Sequence, residues 1–231
     1  MPGFIEEWTR RLREALRREA GAEAAERLLQ PLPDESDPED PRPLLEWTAA
    51  LARRLEDELT ARQLHEVMTS CACRYSRKRL DRLRRVWTGT GSVQAVIDEM
   101  WSIHRAGLRE GMLLEDEVVR QLAELGWGVG GRLEGNAITV TKIPRTANLR
   151  AYLSEEDGES RRTMYCHCPR VRRAVAEGVE VPASHCLCGA GFYRHIWESI
   201  LKRSVTVEVV ETVCSGGDRC TFAVRLPEDV E

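Results

Sequence analysis

A change of texture at Gly126 constrains the fold of this 231-residue chain more than any other feature. Before it, apolar residues recur at three- and four-residue steps with Arg and Glu between them. After it, glycines and β-branched residues enter, and apolar and polar positions alternate every second residue. The first period belongs to helices and the second to strands with one buried face, so a single repeating element cannot satisfy both. Helices followed by an antiparallel sheet with one or two helices laid on it give an α+β chain. The division falls into a helical region over residues 1–125 and an α+β, cysteine-rich region over 126–231.

Within the helical region, Ile5, Trp8, Leu12, Ala15 and Leu16 predict one amphipathic helix over residues 4–29. Residues 31–43 hold five prolines and five acids with almost nothing to bury, which predicts an irregular linker. A second helix is expected over 44–68. Seven of the twelve residues 74–85 are Lys or Arg. No aromatic interleaving accompanies them and the net charge is −4, so they read as a solvated helical face, and nucleic acid is not an expected partner. After Thr88-Gly-Thr-Gly, Ser92 suits the N-cap of a helix to about residue 105, and another helix is expected over 114–125.

Beyond Gly126, strands at 131–133 and 137–141 joined across Glu134-Gly135-Asn136 predict a hairpin. Residues 145–158 read as loop with a short strand near Tyr152. A short helix follows Pro169 as far as Ala176, and Phe192, Tyr193, Ile196, Trp197, Ile200 and Leu201 stripe a helix over 189–202. Residues 204–213 alternate, and a turn at 215–218 leads into 220–226, where Cys220, Phe222, Val224 and Leu226 share a face. No window approaches eighteen apolar residues, and acidic residues stand where a signal peptide needs a basic and then an apolar run. A cytoplasmic protein without membrane association is expected, with a homo-oligomer left open as its assembly.

Chemistry is concentrated in residues 165–201, which hold Cys166, His167, Cys168, His185, Cys186 and Cys188. In the cytoplasm, cysteines at this density read as thiols or metal ligands before disulfides. Cys-x-Cys recurs at Cys71/Cys73, Cys166/Cys168 and Cys186/Cys188. Residues two apart point about 200° away from each other on a helix and share a face in extended chain, so each pair chelates only on non-helical backbone. Pro169 after the first chelating pair, and Pro182 with the Gly-rich helix start around the second, predict such backbone there. Cys166, Cys168, Cys186 and Cys188 then make a full tetrahedral zinc set, with Cys71, Cys73 or the histidines as substitutes; an iron–sulfur cluster would use the same thiolates.

A second chemistry fits the same residues. Cys188 stands at a helix N-terminus, where unpaired N–H groups favour thiolate, and His185 or His167 is available as a base, which is the outline of a cysteine-dependent hydrolase. His65, His104 and His195 read as ordinary partnered residues of helices, and Cys214 and Cys220, flanking the last turn, as reduced thiols.

The run C-x-C-G-A-G-F-Y-R-x-I-W-E-S-I-L, continued through R-S-V-T-V-E-V-V-E-T-V-C-S-G-G-D-R-C-T-F-A-V-R-L-P, resembles the C-terminal region shared by 4-vinyl-reductase-type small-molecule-binding domains and the L-2-amino-thiazoline-4-carboxylic acid hydrolase family, which has many bacterial members. The shared pattern is a helix leading into a hairpin whose turn carries Gly217 and Asp218, followed by Cys220 and Phe222. The resemblance covers residues 166–227. It implies an α+β ligand-binding fold with a cysteine-dependent site and transfers no activity. The expected function is a metal-binding, small-molecule-binding protein; the alternatives are a cysteine-dependent hydrolase acting on a small C–N or C–S bond and a regulatory ligand-binding module for a small organic molecule.

Overall fold

The computed structural model describes residues 4–31, 42–112, 115–144, 149–166, 168 and 170–230. Seven helices come first: α1 (Phe4–Ala20), α2 (Ala22–Leu29), α3 (Arg42–Glu58), α4 (Ala61–Ser70), α5 (Arg77–Thr90), α6 (Val93–Met112) and α7 (Asp116–Glu124). Strands β1 (Arg132–Glu134) and β2 (Ala137–Thr141) follow, then helices α8 (Leu149–Ser154), α9 (Gly158–Tyr165), α10 (Arg172–Glu177) and α11 (Leu187–Leu201). Strands β3 (Thr206–Glu211) and β4 (Thr221–Arg225) close the sheet. The chain is α+β, with a helical N-terminal half.

Two expected helices are each broken in two. Gly21 sits at φ 93°, a conformation that side-chain-bearing residues rarely adopt, and it separates α1 from α2. The expected 44–68 helix stops before Thr60, whose extended backbone starts α4 through a reciprocal cap. Thr60 Oγ1 accepts from the Gln63 N–H at 3.3 Å, and Gln63 Oε1 accepts from the Thr60 N–H at 3.1 Å. Helix α3 begins at Arg42, so Arg42 and Pro43 of the expected linker are helical; Pro43 is tolerated because a first-turn residue needs no N–H partner. Residues 32–41 of that linker lie outside the described residues. Ser92 does cap α6, its hydroxyl accepting from the Ala95 N–H at 3.2 Å.

The strand expected near Tyr152 is instead helix α8, with Tyr152 buried. Helix α9 follows at once because Asp157 caps it, accepting from the Ser160 N–H at 2.8 Å. In α5 the basic run is spent locally: Arg82 pairs with Glu99, Arg84 donates to the Ile200 carbonyl, and Arg79 lies 5.7 Å over the Tyr75 ring.

The four strands run in the order β1-β2-β4-β3, each antiparallel to its neighbour, with Phe222 opposite Val140 on one side and Val209 on the other. Helix α11 lies between this sheet and the pair α4 and α5. Two glycines let it approach both. A Cβ at Gly191 would run into the Thr69 carbonyl of α4, and one at Gly189 would stand 2.5 Å from Phe222 Cζ of β4.

One buried cluster runs from Leu45 and Leu83 through Ile138, Val140 and Phe222 to Val230, so it crosses the expected boundary at residue 125. A second, purely helical cluster gathers Trp8, Leu12, Leu16, Trp47, Leu51 and Met68, with Leu187 and Cys188 of α11 at its edge. The first turn of α11 therefore touches both. Among the described residues no helix is long and apolar enough to cross a membrane.

Candidate functional site

The site is built where β2 and β4 end beside the start of α11. The Lys142 N–H donates to the Cys220 carbonyl at 3.0 Å, extending the β2–β4 ladder past Thr141, whose hydroxyl lies 3.0 Å from that of Thr221. The Tyr165 hydroxyl, at the end of α9, donates to the Lys142 carbonyl. Tyr165 hands the chain to Cys166 in extended conformation, at φ −66° and ψ 122°, in agreement with the expectation for that residue. Cys168 then accepts from the N–H groups of Val171 and Arg172 at 3.2 and 2.9 Å, turning the chain into α10.

The second pair differs from expectation. Residues Ala183–Cys186 form a 3-10 turn, Cys186 has helical angles of φ −74° and ψ −8°, and Cys188 lies in the first turn of α11. Pro182 seeds a tight turn that runs directly into the helix, so Cys186 and Cys188 do not stand on extended backbone. They nevertheless face one space. Cys166, Cys168, Cys186, Cys188 and Cys220 line a cavity of about 50 Å³ together with Lys142 and Phe222. Among the described residues, no group of three or more His, Cys, Asp or Glu side chains is placed, as the sulfurs stand, to hold a metal ion.

A larger cavity of about 470 Å³ adjoins it and shares Lys142, Cys168, Cys188 and Gly189. Cys73 is on its wall. Cys71 is on neither; it caps α4 inside the helical cluster, its Sγ 3.1 Å from the Met68 carbonyl. His185, the expected base, also lines neither cavity. It is buried with its ring 5.7 Å from that of Trp8, and among the described residues its Nε2 has no hydrogen-bond partner. Burial, with Arg170 adding to it, lowers its pKa to about 3 and keeps it neutral. His167 lies outside the described residues.

The electrostatics oppose an activated nucleophile. Burial pushes the Cys188 thiol well above its ordinary range and also raises those of Cys166 and Cys168. Cys186 is raised first by its hydrogen bond with Cys214 and then by burial, and Cys220 is pushed up to about 11 by burial. For Lys142 burial favours the neutral amine, but Tyr193, Cys188, Cys220 and Cys168 outweigh it and raise the pKa above its usual value. Those groups raise the Lys142 pKa only in their anionic forms, so the ammonium and a thiolate stabilise each other.

Three contributors escape the sequence reading. Cys220, expected as a reduced thiol flanking the last turn, joins the other thiols on the cavity wall. Lys142 carried a legible signal: Ile138 and Val140 are fully buried, and strand alternation puts residue 142 on their face, so a cation continues a core row. His104, expected to be a partnered helix residue, lines the larger cavity, and its Nε2 is buried without a hydrogen-bond partner among the described residues. No family model matches the chain, and no curated protein or solved structure does either.

Proposed function

We propose that this chain binds a soft metal ion through thiolates drawn from Cys166, Cys168, Cys186, Cys188 and Cys220, beside a pocket for a small organic molecule. Zinc is the first choice of metal and an iron–sulfur cluster the second. The observation that carries this reading is the convergence on one cavity of five cysteines from three separate segments. Space of about 50 Å³ exceeds what one water needs, so an ion fits. Rotation about the Cα–Cβ bonds would bring the sulfurs inward, and a bound metal would deprotonate them despite their raised pKa values. Four thiolates around a divalent ion leave two negative charges, and Lys142 supplies a cation beside them.

The likeness of residues 166–227 to the small-molecule-binding and hydrolase families named above belongs to the same proposal, since α11 is on the wall of both cavities and Cys220 and Phe222 of the hairpin on that of the smaller. A binding centre is favoured over a Cys188 nucleophile because the thiol is held protonated and His185 faces elsewhere.

Elemental analysis and a visible spectrum of protein purified anaerobically without chelator test the metal. We expect zinc in colourless protein or iron in brown protein at about one site per chain, lost when Cys186 and Cys188 are both changed to Ser. Protein lacking both metals at that level would sink the proposal.

A further inference from the structure

The larger cavity carries charge of one sign only. Among the described residues Lys142 and Arg172 are on its wall and no Asp or Glu is, and much of the remaining surface is apolar, with Val129, Ile143 and Phe192 among its residues. The Lys142 ammonium lies 5.3 Å from the ring centre of Phe222 and 5.9 Å from that of Phe192, and among the described residues it has no carboxylate partner. Aromatic faces offset only part of what a half-buried cation loses in leaving water. His104 is on the same wall, and among the described residues its Nε2 is buried without a hydrogen-bond partner. A cation without a carboxylate partner and an imidazole without a hydrogen-bond partner, among the described residues, thus share the wall of one cavity, whose volume of about 470 Å³ is that of a small-molecule site.

We infer that this cavity takes an organic carboxylate on a flat apolar body, its negative group on the Lys142 ammonium and its edge within reach of the His104 imidazole. The ring stays neutral near pH 7, because burial and then the charge of Arg79 lower its pKa to about 4. It can therefore donate one hydrogen bond or accept one. Gly128 leaves room for it: a Cβ there would stand 3.0 Å from His104 Cδ2. The inference rests on the small-molecule part of the function proposed above and names its ligand class; it is independent of which metal the thiols take.

The test compares 2-naphthoate with 2-naphthamide, which share shape and differ in charge, by calorimetric titration of the unaltered chain. A charge-assisted contact predicts binding of the acid about tenfold or more tighter than the amide. Lys142→Met should bring the affinity for the acid down to that for the amide. Equal affinity of the two compounds, or no binding of either, overturns the inference without recourse to any variant. So does a folded Lys142→Met protein, checked by circular dichroism, that still prefers the acid. Zinc and iron are assayed on the same preparations. Metal-loaded protein indifferent to the acid overturns this inference alone, whereas metal-free protein that binds the acid supports it and overturns the thiolate centre.

Discussion

Arg170 and Lys142 are both cations laid on aromatic rings, one at the edge of the helical cluster and one where β2 meets α11. The Arg170 guanidinium lies 3.9 Å from the ring centre of Trp8 and 5.4 Å from that of Trp47, and it donates to the Thr9 hydroxyl at 2.9 Å. It is almost fully buried and joins the loop after Cys168 to α1. Lys142 has rings of Phe192, Tyr193 and Phe222 around it but, among the described residues, no carboxylate, and two cavities open onto it. The same pairing of cation and π-face serves as a joint in one region and leaves a charge available in the other. What separates them is whether the protein itself supplies the acceptor.

The comparison presumes that both regions form one packed body, and Gly191 tests this with the largest expected effect. Its Cβ position overlaps the Thr69 backbone, which cannot swing aside as a side-chain tip can. Gly191→Ala must part α11 from α4, at a cost of about 3 kcal/mol or more, or a fall in melting temperature on the order of 10 °C. A neutral result by calorimetry would mean that α11 does not bridge the two clusters.

Arg170→Met and Lys142→Met sharpen the contrast directly. Removing Arg170 deletes two ring contacts and a hydrogen bond from the interior, so unfolding in urea should show a loss of about 2–3 kcal/mol. Removing Lys142 deletes a cation with no counter-ion among the described residues, and stability should hold or rise while the preference for the naphthoate disappears. Equal destabilisation by the two changes would erase the distinction between joint and available charge.

Acid titration separates the regions next. His185 belongs to the Trp8 side, and its folded pKa of about 3 lies below the ordinary 6.5. The unfolded chain therefore binds the proton that the folded chain refuses. Stability from this residue is fully present above about pH 6.5 and falls as the pH drops from there toward 3, by on the order of 2 kcal/mol or more. His185→Phe should flatten that limb of a pH-stability curve, and an unchanged limb would show that the ring is not buried neutral.

What the sequence revealed follows from how far each signal reaches. The stripe from Phe192 to Leu201 and the alternation of β2 are local periodicities, and each produced its element. The breaks at Gly21 and Thr60 fall inside stripes that continue on either side, so periodicity passed over them although a glycine and a Thr60/Gln63 capping box mark the positions. The site is less legible because it is assembled across the sheet: Lys142 meets Cys220 only through the register of β2 on β4. The Cys186/Cys188 spacing suggested shared direction from extended chain. The two share a cavity for another reason, the junction of a 3-10 turn with α11.

The smallest expected effect lies where the two regions adjoin. A Cβ at Gly189 would stand 2.5 Å from Phe222 Cζ and 3.3 Å from Lys142 Nζ, and both are side-chain atoms that can give way. Gly189→Ala should therefore cost only about 1 kcal/mol, the ring and the ammonium shifting within the cavities that flank them. That small shift acts on the charge the pocket offers. We expect naphthoate affinity to drop several-fold while the thermal midpoint moves by about 2–4 °C. Gly191→Ala, two residues along the same helix, should do the reverse, lowering the midpoint far more and changing the acid preference of the folded fraction less. If both alanines affected stability and binding in the same proportion, α11 would be transmitting strain as a rigid rod, and the separation of scaffold from site along its first turn would fail.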